Sequence, residues 1–359
     1  MRVSYRLLLL LIVVFYLGAT SQADTIELIA GGMVEQVGID GKEARLYEPF
    51  AAEYDASGEL WIVEMAQGNR LLRLDTQGLL QHEAGKVGAR RADEVGQIAD
   101  IVAENALFHG PHNLAVLDEK SILISDTWNG RIRQFDRGTR TVTSLTGYGV
   151  ELDAARGNGP YCVTLSPNKT MLYIADLRRV YKLEVAIGQL TLVAGNGERG
   201  VPADGELATD SPLVDPRAVA ADSQGNVYIL ERNGNALRVV GSDGRIRTVV
   251  NRSGKKGNGK EEGRAIDIGL SGPKHLCMDQ EDRVVIADAE SHMIRRYDPK
   301  TELISTILGN GEQGRGEIGE PLQSFKLSRP HGVSIDPRNG DLIITDSYNH
   351  RVLRRSGSR

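Results

Sequence analysis

The chain has 359 residues and a net charge of −5; 5% of its residues are aromatic and two are cysteines. An acidic chain lacks the excess of Lys and Arg that nucleic-acid binding requires, and so few aromatic residues exclude extensive platforms for base stacking. Two cysteines do not form a disulfide framework, so we expect Cys162 and Cys277 to be free thiols.

The amino terminus has the three-part pattern of a signal peptide. Arg2 and Arg6 precede the apolar run 7–17, and small residues follow at 21–23. The run is shorter than the roughly 20 residues that span a bilayer. We therefore expect cleavage after Ala23, export to the periplasm or the cell exterior, and one domain over residues 24–359. Cleavage removes two arginines and no acidic residue, which moves the charge from −5 to −7.

One motif occurs six times along the remaining chain. Its opening prolines are Pro49, Pro111, Pro160, Pro216, Pro273 and Pro330. The acidic residue that ends its second strand recurs as Glu64, Asp126, Asp176, Glu231, Asp288 and Asp346. Within each copy, short β-branched or alternating runs are separated by Gly, Asn and Asp turns, which predicts four strands. The repeat therefore predicts an all-β protein, a six-bladed β-propeller of four-stranded blades.

The two ends of the chain are expected to share the last blade. The sixth copy reaches the carboxyl terminus after its third strand, while residues 25–36 resemble residues 304–313, the fourth strand of the fifth copy. An unpaired sheet edge is a site of aggregation, so it needs a partner. We predict that residues 25–30 complete blade 6 and close the ring.

Two copies of the motif carry a family resemblance. Asp126-Thr-Trp-Asn-Gly-Arg-Ile and Asp346-Ser-Tyr-Asn-His-Arg-Val resemble the NHL repeat, as does the linker 193–208. The resemblance implies a six-bladed propeller. It does not select a function, because such propellers serve as enzymes, protein binders and RNA binders.

The residue after each opening proline begins the innermost strand and should face the central channel. These residues are Phe50, His112, Tyr161, Arg217, Lys274 and His331. Two fixed cations beside two imidazoles predict a pocket for a carboxylate, phosphate or sulfate, with His112, Tyr161, Arg217, Lys274 and His331 as its ligand-binding residues. The alternative is a channel filled by polar side chains and water. His275, one residue further along, should point away from the channel by strand alternation.

Pro111-His112 and Pro330-His331 also resemble two of the three zinc-ligand positions of the peptidyl-hydroxyglycine amidating lyases. The third position holds Arg217, and a guanidinium cannot ligate a metal. We therefore expect no cofactor, although His112 and His331 leave a divalent metal possible.

Other positions of that family match only in part. Arg232 stands where those lyases carry a catalytic arginine, but Met65 stands where they carry a second one. Tyr348 offers a phenol from a different blade than theirs does.

The loops that follow the second strands carry residue types that are enriched at interfaces. Trp128, Arg178 and Tyr348 lie in these loops, on one face of the predicted propeller. This pattern indicates a face that contacts a glycan or a protein partner.

The leading hypothesis is an exported, monomeric binding propeller that takes a small anionic ligand, a glycan or a protein at this face and channel mouth. It has no nucleic-acid partner and no membrane span after cleavage. The alternative is a lyase or hydrolase inside the channel, with His112, Arg217, Arg232, His331 and Tyr348 as candidate catalytic residues. A converging polar cluster with a metal or a perturbed titrating group would favour the enzyme.

Overall fold

A computed structural model describes residues 24–32, 38–65, 67–89, 100–145, 159–257 and 262–356. The predicted signal peptide, residues 1–23, lies outside the described residues. Within these ranges, none of the helices combines the length and the apolar character needed to cross a membrane.

The described strands form six antiparallel sheets, and each sheet is one blade. Blade 1 contains Pro49–Tyr54, Leu60–Glu64, Arg70–Leu74 and Leu80–Gly85. Blade 2 contains Pro111–Val116, Ser121–Asp126, Arg131–Asp136 and Thr141–Ser144, with the short fifth strand Ile101–Val102 at its outer edge. Blade 3 contains Cys162–Leu165, Met171–Asp176, Arg179–Glu184 and Gln189–Ala194.

Blades 4 to 6 repeat this order from the channel outwards. Blade 4 contains Pro216–Ala221, Val227–Glu231, Ala236–Val240 and Ile246–Val250. Blade 5 contains His275–Met278, Val284–Asp288, Met293–Asp298 and Leu303–Leu308, with Gly263–Arg264 at its outer edge. Blade 6 contains Gly332–Ile335, Leu342–Asp346, Arg351–Ser356 and Thr25–Ala30. The described helices are single 3₁₀ turns: Ala103–Asn105, Thr127–Asn129, Ala265–Asp267, Ala289–Ser291 and Ser347–Asn349.

The inner strands surround a central channel. Each inner strand contacts that of the next blade, and the strand of blade 6 contacts that of blade 1. Small residues allow this close approach, as in the run Pro216-Arg-Ala-Val-Ala-Ala of blade 4. Between blades the sheets bury large side chains, such as Trp61 of blade 1 against Phe135 of blade 2. The prediction of an all-β, six-bladed propeller is confirmed.

The acidic residue that ends the second strand is a buried structural group in every blade except blade 3, where Asp176 is half-buried. Asp346 accepts hydrogen bonds from Ser328 N at 2.7 Å, from Asn349 Nδ2 at 2.7 Å and from Arg351 Nε at 2.8 Å. The same position in blade 4, Glu231, accepts from Val214 N at 2.6 Å. In both blades the donor amide lies two residues before the opening proline, so the carboxylate holds the start of the inner strand.

The amino-terminal strand closes the ring. Thr25–Ala30 pairs antiparallel with Arg351–Ser356, with Thr25 opposite Ser356 and Leu28 opposite Leu353. Ion pairs of Arg354 with Glu27 and of Arg355 with Asp24 join the same two strands. The predicted shared blade is confirmed.

A second set of hydrogen bonds joins neighbouring blades. In four blades, the turn between the second and third strands contains an Asn or His with a left-handed backbone. Its side chain accepts a hydrogen bond from the backbone amide of the residue before the next opening proline. His350 Nδ1 accepts from Glu48 N at 3.1 Å, which links blade 6 to blade 1. The other three links are Asn69 Oδ1 to Gly110 N, Asn235 Oδ1 to Gly272 N and His292 Nδ1 to Arg329 N. These bonds fix the loops that surround one mouth of the channel.

The two cysteines are free thiols, as expected. Cys162 is fully buried in blade 3, and Cys277 is half-buried in blade 5.

Deletion of residues 24–31 should expose the third strand of blade 6 and cause unfolding or oligomerisation, because an open edge pairs with other chains. Thermal unfolding and size-exclusion chromatography measure both effects. The control, Thr25→Ala, removes only the hydrogen bond between the Thr25 and Ser356 hydroxyls and should change little. A monomeric deletion variant with unchanged melting would contradict this closure.

Asp346→Ala should lower the free energy of unfolding by about 3–5 kcal/mol, because it leaves the buried Arg351 without its partner. The control is Asp267→Ala, which breaks an exposed ion pair with Arg264 and should cost less than about 1 kcal/mol. Chemical denaturation measures both values. Equal losses in the two variants would contradict a structural role for the buried carboxylate.

Candidate functional site

The residue after each opening proline lies in a β-bulge at the start of its inner strand. Pro49 pairs with Glu64 and Ala51 pairs with Val63, which leaves Phe50 as the extra residue. The same shift occurs at His112 and at Arg217. A bulge redirects side chains and interrupts strict alternation. The six residues after the prolines, called the channel belt below, therefore lie close to the axis.

Ring contacts connect the channel belt from blade 6 to blade 4. Phe50 stacks on His331 with ring centroids 4.1 Å apart, and its edge meets His112 at 5.3 Å. His112 meets Tyr161 edge-on at 5.4 Å, and Arg217 Cζ lies 3.6 Å from the centroid of the Tyr161 ring. This cation–π contact holds the guanidinium flat against the wall. Lys274 of blade 5 completes the belt.

The belt encloses a cavity of about 290 Å³ at the mouth formed by the loops after the second strands. Its wall comprises Phe50, Met65, His112, Trp128, Tyr161, Arg217, Arg232, Lys274, His275, Arg329, His331 and Tyr348. All the candidate catalytic and ligand-binding residues from the sequence thus lie around one cavity. Their roles remain predictions.

The predicted partner face divides into two parts. Trp128 and Tyr348 are exposed at the cavity mouth, at 36% and 42% of their surface. Gly110 makes room for the indole, because a Cβ at this left-handed position would clash with the Trp128 ring. Arg178 is not part of the cavity wall.

Cations dominate the charge of this cavity. They are Arg217, Arg232, Lys274 and Arg329. Arg217 Nε lies 3.5 Å from Asp215 Oδ1, and Arg329 Nη2 lies 3.3 Å from Glu290 Oε1. In the described ranges Lys274 has no such carboxylate. Burial, together with the nearby Arg232 and Arg217, lowers the pKa of Lys274 to about 7.

Both belt histidines are neutral at pH 7. His112 Nδ1 donates to Gly110 O at 2.7 Å, while burial and the charge of Arg217 lower the pKa of His112 to about 3. Burial and the charge of Lys274 hold the pKa of His331 well below its usual value. Among the described residues, the buried Nδ1 of His331 has no hydrogen-bond partner. It is therefore a free polar atom beside the cavity.

These residues do not fit a three-ligand zinc site. The Phe50 ring contacts both His112 and His331, and the third position holds the cation Arg217. In the part of the chain that the structure describes, no three His, Cys, Asp or Glu side chains are grouped so that they could hold a metal.

The expectation that His275 points away from the channel is wrong. Lys274 and His275 both lie opposite Ala287, because the bulge places two residues against one. His275 Nδ1 donates to Val333 O at 3.1 Å in blade 6, and Nε2 accepts from Asn113 Nδ2 at 2.9 Å in blade 2. The imidazole thus bridges the channel and forms the floor of the cavity.

Sequence reasoning missed Arg329. It lies directly before Pro330, with a positive φ of 46°, and its Nη1 is 3.3 Å from Tyr348 Oη. Glycines occupy the corresponding positions 110 and 272. A cation directly before an opening proline was therefore a usable signal.

Comparison with known proteins identifies the family. A family model described as "Teneurin NHL domain" matches residues 85–259, and one described as "NHL repeat" matches residues 327–354. This chain belongs to the NHL-repeat β-propellers. It is 23% identical to NHL repeat-containing protein 2 of Gallus gallus, covering 85% of this chain and 46% of that protein. It is 24% identical to Protein SUPPRESSOR OF QUENCHING 1, chloroplastic, of Arabidopsis thaliana, covering 69% and 25%. This NHL propeller therefore spans less than half of either relative.

Solved structures share the fold. An auxiliary nutrient binding protein from Bacteroides thetaiotaomicron has a TM-score of 0.64 at 14% identity, covering 94% of this chain and 77% of that one. A streptogramin B lyase has a TM-score of 0.50 at 12% identity, covering 93% and 98%. At such identities the likeness shows the propeller fold alone, so the function has to be argued from the site.

Arg217→His should raise zinc affinity by at least about tenfold, because a third imidazole would replace a repelling cation. Protein purified without added metal should hold little zinc. Zinc titration and elemental analysis measure these quantities. The control is Arg178→His, on the same face but outside the cavity wall. Stoichiometric zinc in the unchanged protein, lost in His112→Ala and His331→Ala, would overturn this prediction.

Proposed function

We propose that the chain is an exported binding propeller whose channel mouth takes a small anion with an aromatic or apolar part. The carrying observation is the convergence of Arg217, Arg232, Lys274 and Arg329 on one cavity. Bringing four cations together costs free energy in an empty cavity, and an anion offsets that cost.

The polar atoms of the cavity favour a carboxylate, phosphate or sulfate. His331 Nδ1 is buried without a hydrogen-bond partner in the described residues, and Arg217 Nε has only the 3.5 Å ion pair with Asp215. An unsatisfied buried polar group costs about 1–3 kcal/mol, which a ligand oxygen or hydroxyl can recover. The rings of Phe50, Tyr161 and Trp128 supply an apolar wall for the rest of the ligand.

Two considerations support a binding role. At about 290 Å³ the cavity lies just below the range of roughly 300–1,000 Å³ of small-molecule sites, which suits a compact ligand. One structural neighbour is called an auxiliary nutrient binding protein, and the sequence has the pattern of a signal peptide. The proposal therefore has the propeller capture a small solute outside the cytoplasm.

Phenyl phosphate should bind more tightly than inorganic phosphate in isothermal titration calorimetry. Arg217→Ala should weaken phenyl phosphate binding by at least about tenfold, because a hydrogen bond to a charged group contributes about 1.5–3 kcal/mol. The control Arg178→Ala should leave binding unchanged. Equal weakening in both variants, or the absence of binding, would refute an anion site in this cavity.

The pH dependence of binding is a further readout of the same experiment. Because the pKa of Lys274 is about 7, its charge is present below that pH and lost above it. Affinity for phenyl phosphate should therefore fall as the pH rises through about 7 to about 8.5. Lys274→Met should bind more weakly and without this dependence.

A lyase or hydrolase in the same cavity is the second candidate. The observation that favours it is again Lys274, which can accept a proton at neutral pH and lines one cavity with Tyr348. Mass spectrometry of candidate anions incubated with the protein separates the two functions. Turnover that Lys274→Met abolishes would favour the enzyme, whereas recovery of intact ligand favours the binding protein.

A further inference from the structure

A second, larger cavity occupies the opposite half of the channel. Its volume is about 630 Å³, and its wall consists mainly of the inner strands, towards their carboxyl-terminal ends, and the turns that follow them. His275 lines both cavities, so the imidazole separates them. We call this second cavity the lower chamber. Nothing in the proposed anion site depends on it.

The wall of the lower chamber is mostly apolar. Half-buried side chains that line it include Leu165, Cys277, Met278 and Ile335, from blades 3, 5 and 6. A cavity of this size with apolar walls and few polar groups has the character of a small-molecule site. The apolar wall selects a ligand with an aliphatic or aromatic body.

One carboxyl group within this wall lacks a charged partner. Glu53, in the inner strand of blade 1, accepts only a long hydrogen bond, 3.4 Å from Val116 N to Oε1, in the described ranges. Lys169 Nζ donates instead to Val116 O at 2.9 Å. Burial raises the pKa of Glu53 to about 7, although Val116 and Lys169 lower it. A carboxylate in such surroundings is stabilised by a cation that reaches it.

The charges at the open end have the same sign. Asp55, Asp279 and Asp282 line the lower chamber, and each accepts hydrogen bonds within or between the turns. Asp279 is paired with Arg283 at 2.7 Å. Asp55, Asp282 and Glu53 still outnumber Lys169, the cation among the described residues of the wall. A negative mouth attracts cations and repels carboxylates and phosphates. Its charge is therefore opposite to that of the cavity that the channel belt encloses.

We propose that the lower chamber is a second binding site, which takes a small amphiphilic amine with its apolar body against Leu165, Cys277 and Met278 and its ammonium group at Glu53. A fatty acid or an organic phosphate would place its charge close to the carboxyl groups of Glu53, Asp55 and Asp282. A neutral apolar compound would leave the Glu53 carboxyl without a partner. The amine satisfies both the wall and the carboxyl.

The test compares three probes of one shape: phenylbutylamine, phenylbutanol and phenylbutyrate, each titrated calorimetrically into the whole protein. The amine should bind at least about tenfold more tightly than the alcohol at a pH above the pKa of Glu53, and the acid should bind most weakly. Equal affinity of amine and alcohol, or tighter binding of the acid, would overturn the proposal.

Variants test whether the preference for the amine arises at Glu53. Glu53→Gln, which keeps the shape of the side chain, should remove the preference for the amine and leave the alcohol bound as before. Lys169→Met should strengthen amine binding, because it removes the competing cation. Ala56→Trp, at an exposed position in the wall, should weaken amine and alcohol alike. An amine preference that survives Glu53→Gln would assign the binding to another place and refute this site.

The amine affinity should also rise as the pH increases through about 7, because Glu53 then ionises, and Glu53→Gln should abolish that rise. Phenyl phosphate should not compete with the amine, since His275 separates the cavities. Competition between the two probes would contradict two separate sites. Binding of the amine at Glu53 does not require the anion site, so a failure of the phenyl phosphate experiment would not decide this test.

Discussion

In five of the six blades, a buried carboxylate at the end of the second strand holds the entry to the inner strand. Glu64, Asp126, Glu231, Asp288 and Asp346 are fully buried, and each accepts a backbone amide from the segment before its own opening proline. Hydrogen bonds to its oxygens offset the cost of burying a carboxylate. The contact therefore fixes where the chain enters the channel, and the channel belt follows directly from it.

This constraint explains why repetition could be read from the sequence while the contents of the channel could not. The prolines and acids repeat because the blades share one form of entry to the inner strand, so the period and the closing strand follow from the pattern. The belt residues differ from blade to blade. Their placement depends on a bulge, and the sequence around His275 carries no mark of one, so the alternation rule placed that side chain on the wrong side of the strand.

The sites depend on contacts between residues that are distant in the chain. Arg329 lines the cavity that the channel belt encloses. Its backbone is left-handed, and its amide donates a hydrogen bond to His292 Nδ1 of the preceding blade. No motif in the sequence singles out Glu53, and its surroundings come from Val116 and Lys169 of the next two blades. The residue types at single positions could be predicted, but the electrostatic character of each cavity arises from the assembled ring.

The floor between the cavities is neutral for a structural reason. Val163 N donates to Asn113 Oδ1 at 3.0 Å, which leaves the Asn113 amide nitrogen to donate to His275 Nε2, while His275 Nδ1 donates to Val333 O. The Asn113 donor favours the tautomer with the proton on Nδ1, because a proton on Nε2 would oppose it. Burial lowers the pKa of His275 to about 4, so the imidazole stays uncharged at neutral pH. A neutral floor adds no charge of its own, and it lets a cationic cavity and an acidic chamber exist on the two sides of a single imidazole.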